Sequence, residues 1–188
     1  MSGLPPRAPE RTEAEIVKWV GLIVLLVLLT ASPATSQVAD DRLVVPGARI
    51  GNWTLGMSIQ DVVRVNGRAN ARPSIVSVFI PKMVWHSWDS LSLAVATHDQ
   101  RKVEYLAVYQ SRGYTTSKGI GYSSAKQAVF TAYGQPTVEG DIFVLGRIVP
   151  VLAYDTLGLA FFLDDDAVQV ILIFRPGESG DLISTCGG

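Results

Sequence analysis

The chain has little cysteine and no charge excess. Among 188 residues there is one cysteine, Cys186, so an internal disulfide is excluded. In an exported chain this thiol would be free or would form an intermolecular link, and its place in the tail favours a free thiol of no consequence. The 16 basic and 17 acidic residues give a net charge of -1 at pH 7. This balance supplies no electrostatic case for binding nucleic acid or anionic lipid, and we expect no nucleic-acid partner.

Catalytic and metal-binding motifs are also missing. His86 and His98 are the two histidines, and neither has a Cys or His at metal-ligand spacing. The acidic run Asp164–Asp166 lacks the alternation, the central Gly and the final Glu of an EF-hand loop, so a charged hairpin loop is expected there. Residues 119–124 lack the Lys of a P-loop, and no Gly-x-Ser-x-Gly occurs. We therefore predict no catalytic residues, no metal site and no cofactor, and an enzyme of unfamiliar type ranks third among the alternatives.

A long hydrophobic run is absent as well. The longest apolar stretch, Trp19–Leu29, is shorter than the ~20 residues of a typical membrane-spanning helix. Its length is typical of a signal-peptide core, and Ala34 and Ser36 occupy the two positions that a signal peptidase reads. The sequence therefore predicts a signal peptide over residues 1–36.

An uncleaved N-terminal membrane anchor is the alternative for the same segment. Residues 1–18 carry nearly balanced charge, whereas signal peptides begin with a basic segment. Contact with a membrane would then be made by residues 16–31. No Cys follows the apolar run, so a lipid-linked N-terminus is not expected. Under both alternatives the remaining residues are predicted to be extracytoplasmic. They are secreted or periplasmic if the leader is cleaved, and anchored at the envelope if it is not.

The rest of the chain contains an internal similarity. The segment Trp88–Ala94 returns 66 positions later as Tyr154–Ala160. The segments that follow, Val103–Tyr109 and Val168–Phe174, also match in their pattern of apolar residues. This similarity predicts a duplicated unit, with a first repeat over residues 43–112, a second over 113–177, and a disordered tail over 178–188.

Each predicted repeat begins with a short helix. Ser58 and Asp61 form a capping box in the first, and Ser124 and Gln127 occupy the matching positions in the second. The two helices are predicted to end at Gly67 and Gly134.

Four β-branched or alternating segments follow each helix, and Asp89-Ser90 is expected to be a two-residue turn between two of them. The predicted fold class is α+β, made of two tandem repeats. Each repeat is a short helix followed by a four-stranded antiparallel meander, and the helices pack on one face of the sheet.

These segments resemble those of a known group of domains. The pattern Ile-Gly-x-Trp-x-Leu-Gly-Met-Ser-x-x-Asp-Val over Ile50–Val62, the helix start over Ser123–Pro136, and the meanders ending at Tyr109 and Phe174 carry the resemblance. The group contains the beta-lactamase-inhibitor-protein-like domains and the small outer-membrane assembly lipoproteins. The resemblance implies an extracytoplasmic, non-catalytic protein that holds other proteins against its sheet. The chain departs from the group in lacking both a lipid-accepting Cys and bracing cysteine pairs.

An aromatic excess on the first meander is the strongest binding feature. In a strand, Tyr105 and Tyr109 share one face, and Leu106 and Val108 occupy the other. Trp and Tyr often anchor protein interfaces, although the same rings can instead fill a core between the two halves. An ordinary packed histidine is favoured over a ligand at His86. The predicted partner-binding residues are Trp85, His86, Trp88, Tyr105 and Tyr109.

Two functions follow from these expectations. The first is an exported or envelope-anchored, non-catalytic protein-interaction module whose partner is another extracytoplasmic protein. The alternative is an extracytoplasmic sensor domain that binds a small ligand or the cell wall.

Overall fold

The described residues form a large antiparallel sheet, a small second sheet and two helices. The computed structural model describes residues 42–70, 83–111, 113–144 and 147–178, and the side chains of 143 and 144 are not described. All of these residues belong to one unit that spans residues 38–188. In chain order the elements are β1 (Leu43–Val45), β2 (Arg49–Ile50), β3 (Trp53–Thr54), α1 (Ile59–Asn66), β4 (Val84–Trp88), β5 (Leu93–Thr97), β6 (Tyr105–Tyr109), β7 (Thr115–Thr116), α2 (Lys126–Tyr133), β8 (Val138–Val144), β9 (Arg147–Tyr154), β10 (Leu159–Asp164) and β11 (Ala167–Ile173).

The large sheet has seven strands in the order β4-β5-β6-β11-β10-β9-β8. Its central neighbours, β6 and β11, pair antiparallel with Val108 opposite Ile171 and Leu106 opposite Ile173. These strands come from the two similar halves of the sequence. The two halves therefore share one sheet.

Both faces of this sheet are buried. Leu106 and Val108 lie on one face, in a cluster that also contains residues of both helices and of the small sheet. Tyr105 and Tyr109 lie on the other face, in a second cluster with small and apolar residues of the neighbouring strands. The predicted division of these four side chains between two faces is confirmed.

The predicted fold class is wrong. The described chain is mostly β, with two sheets of seven and four strands, and it is not two helix-plus-meander repeats. The small sheet has the order β3-β2-β1-β7, in which β1 and β7 are parallel. Its strands are two or three residues long, too short to show an alternating pattern in the sequence. The pairing of β1 with β7 joins Leu43 to Thr115, far apart in the sequence, which no local rule predicts.

The recurring segment of the sequence forms a tight corner at both of its positions. Asp89–Leu91 and Asp155–Leu157 are 3-10 turns, and the next residue, Ser92 or Gly158, has a left-handed conformation. The Ser92 carbonyl accepts a hydrogen bond from the Tyr109 amide, and the Gly158 carbonyl accepts one from the Phe174 amide, each at 3.0 Å. The predicted two-residue turn at Asp89-Ser90 is therefore wrong, because a 3-10 turn and one left-handed residue are needed to reverse the chain.

One of the two predicted helix caps is confirmed. The hydroxyl of Ser58 accepts a hydrogen bond from the Asp61 amide at 3.1 Å and donates one to the Asp61 carboxylate at 2.7 Å. The second cap is wrong, since α2 begins after Ala125, which has no capping side chain. Ser124 lies one position too early, and its hydroxyl accepts from the Gly121 amide instead. Both helices end at the predicted glycines, Gly67 and Gly134, whose φ of 77° together with their ψ is accessible only to glycine.

Several predictions fall on residues outside the described ranges. These are the signal peptide or anchor over 1–36, the first of the four segments expected after the first helix, which covers residues 74–80, and the tail with Cys186, of which residue 178 alone is described. Within the described ranges, no helix has the length and apolar character needed to cross a membrane.

The two corners provide a matched test of backbone geometry. We expect Gly158→Ala to lower the free energy of unfolding by about 2–4 kcal/mol, because a Cβ would overlap the Phe174 carbonyl oxygen and the left-handed conformation disfavours it. The control Ser92→Gly should change this energy by less than about 1 kcal/mol, since the equivalent corner already accepts a side chain. Urea unfolding of both variants measures the difference, and equal effects would contradict the geometry of the corner.

The two helix starts provide a second matched pair. Ser58→Ala should destabilise the protein by about 1 kcal/mol, because the amide of Asp61 loses its acceptor. Ala125 has nearly the same backbone conformation as Ser58, with φ -66° and ψ 148°, and no cap. We expect Ala125→Ser to stabilise the protein by roughly 0.5–1 kcal/mol. Thermal or urea unfolding measures both, and destabilisation by Ala125→Ser would show that the start of α2 is wrongly assigned.

Candidate functional site

The five predicted partner-binding residues do not form one surface. In β4, Trp85 lies opposite Ala96 and Trp88 opposite Leu93, and these neighbours belong to different faces of the sheet. Trp85 is half-buried beside the second cluster, together with Tyr105 and Tyr109, whereas Trp88 and His86 face the helices. The structure therefore divides the set into two groups.

The two tyrosines are committed to interior contacts. Tyr105 is 5% exposed and Tyr109 is 8% exposed. The Tyr109 hydroxyl donates to the Asp89 carboxylate at 2.8 Å, and both burial and this carboxylate raise the pKa of the Tyr109 phenol. The Tyr105 hydroxyl donates to the Glu178 carbonyl at 3.2 Å, and its ring lies 6.1 Å from that of Phe174. These contacts support the alternative that the tyrosines fill the core.

Trp88 has a structural role at the end of α1. Its side chain is 3% exposed, and its indole N–H donates to the carbonyl of Gly67 at 3.1 Å. Gly67 is the residue at which the helix ends, and its own amide donates to the Val63 carbonyl at 2.8 Å. The tryptophan therefore ties the last turn of the helix to β4.

A cleft lies beside this contact, between α1 and β4. The chain turns at Gly67, and the Asn70 amide donates to the Ser87 carbonyl at 2.8 Å, which places the residues after the helix next to the strand. The cleft has a volume of about 600 Å³. We call it the α1–β4 cleft, and its described lining residues are Val63, Arg68, Ala69, Asn70 and His86.

His86 is the member of the predicted set that reaches this cleft. It pairs with Val95 in the sheet and presents its ring on the face that carries the helices. Its Nε2 atom is buried and has no hydrogen-bond partner. Burial lowers the pKa of the imidazole, so the ring is neutral at neutral pH. A neutral ring with a buried, unpartnered nitrogen is able to accept or donate one hydrogen bond to a ligand.

Other side chains of α1, of β4 and of the chain between them are exposed or have a polar atom without a hydrogen-bond partner. The side-chain amide nitrogen of Asn66, one helical turn after Val63, is buried without a hydrogen-bond partner. Arg68 is exposed and forms no ion pair with the described residues. Val63 and Val84 are each 37% exposed. The arrangement thus combines polar groups that lack partners with exposed apolar side chains.

The site offers binding groups and no reactive set. In the described ranges, no group of three His, Cys, Asp or Glu side chains lies close enough to hold a metal ion. The described lining residues of the α1–β4 cleft carry no hydroxyl, thiol or carboxylate to pair with His86 as a nucleophile or acid.

A second hollow lies at the start of α2. It has a volume of about 270 Å³ and is lined by Ala125, Lys126, Gln127, Phe130 and Asp166. Lys126 already forms an ion pair with Glu139 at 2.7 Å, which raises the pKa of the lysine. The neighbouring acidic run is the predicted charged hairpin loop, in which Asp165 and Asp166 have positive φ between β10 and β11. The lysine of this hollow is thus already paired, so the hollow is the weaker candidate.

Sequence reasoning missed most of the α1–β4 cleft. The apolar spacing of Ile59, Val62 and Val63 predicts a core-facing position for Val63, and Arg68 and Asn70 belong to a linker with no motif. The hydrogen bonds from Asn70 to Ser87 and from Trp88 to Gly67 bring these residues to His86. The polar residues Arg68 and Asn70 directly after a helix-ending glycine were the one available signal, and such residues are common in surface loops.

The burial of His86 predicts a specific pH dependence. Its folded-state pKa lies below the unfolded value of about 6.5, so the unfolded chain binds more protons at mildly acidic pH. The free energy of unfolding should therefore fall as the pH falls through about 6.5 toward the folded-state pKa. His86→Gln should reduce this fall, and urea unfolding at about pH 7.5 and about pH 5.5 measures it.

His98→Gln is the control for this measurement, because His98 is exposed and ion-paired with Glu104. It should leave the contribution of His86 intact. An imidazole NMR titration gives the pKa of His86 directly, and a value at or above that of an unfolded histidine would contradict the expected burial.

Comparison of the chain with protein-family models, with curated protein sequences and with solved structures found no match. The resemblance to the beta-lactamase-inhibitor-protein-like domains and the assembly lipoproteins therefore stays a prediction. The function has to be argued from the geometry of the α1–β4 cleft and from the chemistry of its residues.

Proposed function

We propose that the protein is a non-catalytic interaction module that binds a segment of a partner protein in the α1–β4 cleft. The observation that carries this proposal is the combination of exposed Val63 and Val84 with the unpartnered nitrogen of His86. Exposed apolar side chains around buried polar groups are typical of protein interfaces, where both are covered on binding. A partner segment would cover the valines and supply the missing hydrogen bonds.

Of the five predicted partner-binding residues, His86 alone belongs to the proposed site. Trp88, Tyr105 and Tyr109 act by holding the sheet and the helix in place, since their rings are buried and their polar atoms bind within the chain. His86 contacts the partner directly. Trp85, half-buried on the other face of β4, belongs to a different surface and is not part of this site.

The proposed location rests on residues 1–36 alone. Their apolar run and the small residues after it support export or anchoring at the envelope. The partner is then another extracytoplasmic protein. Export and the binding site are independent parts of the proposal.

A small-ligand or cell-wall-binding sensor is the second candidate. The volume of about 600 Å³ favours it, since pockets for small molecules commonly measure roughly 300–1,000 Å³. A sensor of this kind should show a thermal shift with a soluble envelope-derived ligand, whereas the interaction module should not.

Site-specific photo-crosslinking in the native cell tests the proposed function. A benzophenone amino acid at Val84 should yield an adduct with one partner protein, because this side chain lies two residues before His86 on the same face of β4 and is partly exposed. The matched control is Ile148 on β9, which is 66% exposed and five strands away in the sheet. Arg68→Glu in the Val84 variant should abolish the adduct.

The proposed function fails if Val84 yields no protein adduct, or if Ile148 yields the same adduct with equal efficiency. Both probes replace exposed apolar residues, so a difference between them reports on position and not on folding. Circular dichroism of the purified variants verifies that the fold is retained.

A further inference from the structure

The α1–β4 cleft offers more hydrogen-bond donors than acceptors. Among the described lining side chains, the guanidinium of Arg68 is a donor only, the amide of Asn70 has two donor hydrogens and one acceptor oxygen, and Nε2 of His86 donates in one of its two neutral tautomers. The Arg68 group is exposed, and Nε2 of His86 is buried without a partner. None of the described lining residues is acidic. A ligand that satisfies these groups must therefore supply acceptors.

Exposed apolar side chains at the cleft set a second requirement for the ligand. Val63 lines the cleft from α1, and Val84 lies two residues before His86 on the same face of β4. Both valines are partly exposed. A ligand that covers them needs an apolar group adjacent to its acceptors. A free small anion has no such group.

We propose that the α1–β4 cleft recognises an acidic-apolar segment of the partner protein. One Asp or Glu carboxylate of that segment accepts hydrogen bonds from Arg68 and His86. A neighbouring apolar side chain packs against Val63 and Val84. This inference rests on the proposed function and adds the chemical class of the bound segment.

Charge complementarity is what selects an acidic segment. A carboxylate has two oxygens with several acceptor sites and no donor, which matches a group of donors. A charged acceptor also forms stronger hydrogen bonds than a neutral amide, most of all with a guanidinium. A basic segment would instead place its own donors against Arg68, and a purely apolar one would leave His86 unsatisfied.

Histidine NMR on the full-length protein tests this inference. The chain contains two histidines, so their ring signals are few, and His98 serves as an internal reference away from the cleft. The probes are acetyl-Val-Glu-Val-amide and its glutamine counterpart. We expect the glutamate peptide to shift the His86 signals saturably without moving those of His98. The glutamine peptide should bind about tenfold more weakly, because it lacks the charged acceptor.

A matched pair of arginine variants assigns the effect to Arg68. Arg68→Gln should weaken binding of the glutamate peptide by about tenfold and leave the glutamine peptide unchanged. Arg64→Gln is the control, because Arg64 lies one turn earlier on α1 and is ion-paired with Asp61 at 2.8 Å. It should leave the binding of both peptides unchanged.

Three results would overturn the inference: equal affinity for the two peptides, equal effects of the two arginine variants, or acetate binding as tightly as the glutamate peptide. These outcomes are distinct from failure of the proposed function. An adduct at Val84 without a preference for glutamate would remove only the acidic specificity. A missing adduct would remove the proposed binding module itself.

Discussion

The pairing of β6 with β11 is the constraint on which the rest of the structure depends. It joins strands about 65 positions apart in the sequence, so closing the chain between them costs conformational entropy. Burial offsets that cost, because Leu106, Val108, Ile171 and Ile173 are all less than 4% exposed. Each such side chain contributes about 1.5–3 kcal/mol through removal of apolar surface from water. Without this pair, each half would present an unpaired strand edge.

The α1–β4 cleft is a consequence of how α1 is attached to the edge of this sheet. The indole of Trp88 holds the end of the helix, and the main-chain bond between Asn70 and Ser87 holds the chain after it. These bonds fix the position of the helix but leave buried nitrogen atoms of His86 and Asn66 without partners. Departures from full hydrogen bonding tend to occur at functional sites, where a ligand supplies the missing partner. The indole nitrogen of the buried Trp53 also lacks a partner, so it is the exposed Val63 and Arg68 beside His86 that make the cleft the candidate site.

The internal similarity of the sequence corresponds to similar local bonds. The first helical amide of each helix donates to a carbonyl of a hairpin loop, from Ile59 to Arg101 and from Lys126 to Asp166, at 2.9 and 2.8 Å. Ser92 and Gly158 have the same left-handed conformation in the two corners. These local similarities between the two halves do not amount to two helix-plus-meander repeats. The small sheet pairs β1 with β7, and this contact has no counterpart in the similarity of the sequence.

Features that depend on neighbours two to four residues apart could be predicted from the pattern of residues. These are the cap at Ser58, the helix ends at Gly67 and Gly134, the charged hairpin loop, and the division of Tyr105 and Leu106 between two faces. The small sheet, the burial of the tyrosines and the assembly of the α1–β4 cleft could not be predicted in this way. Each of these depends on contacts between distant segments, whose formation is set by chain closure and by what covers each face. A pattern of residue types records which side chains share a face, but it does not record what packs against that face.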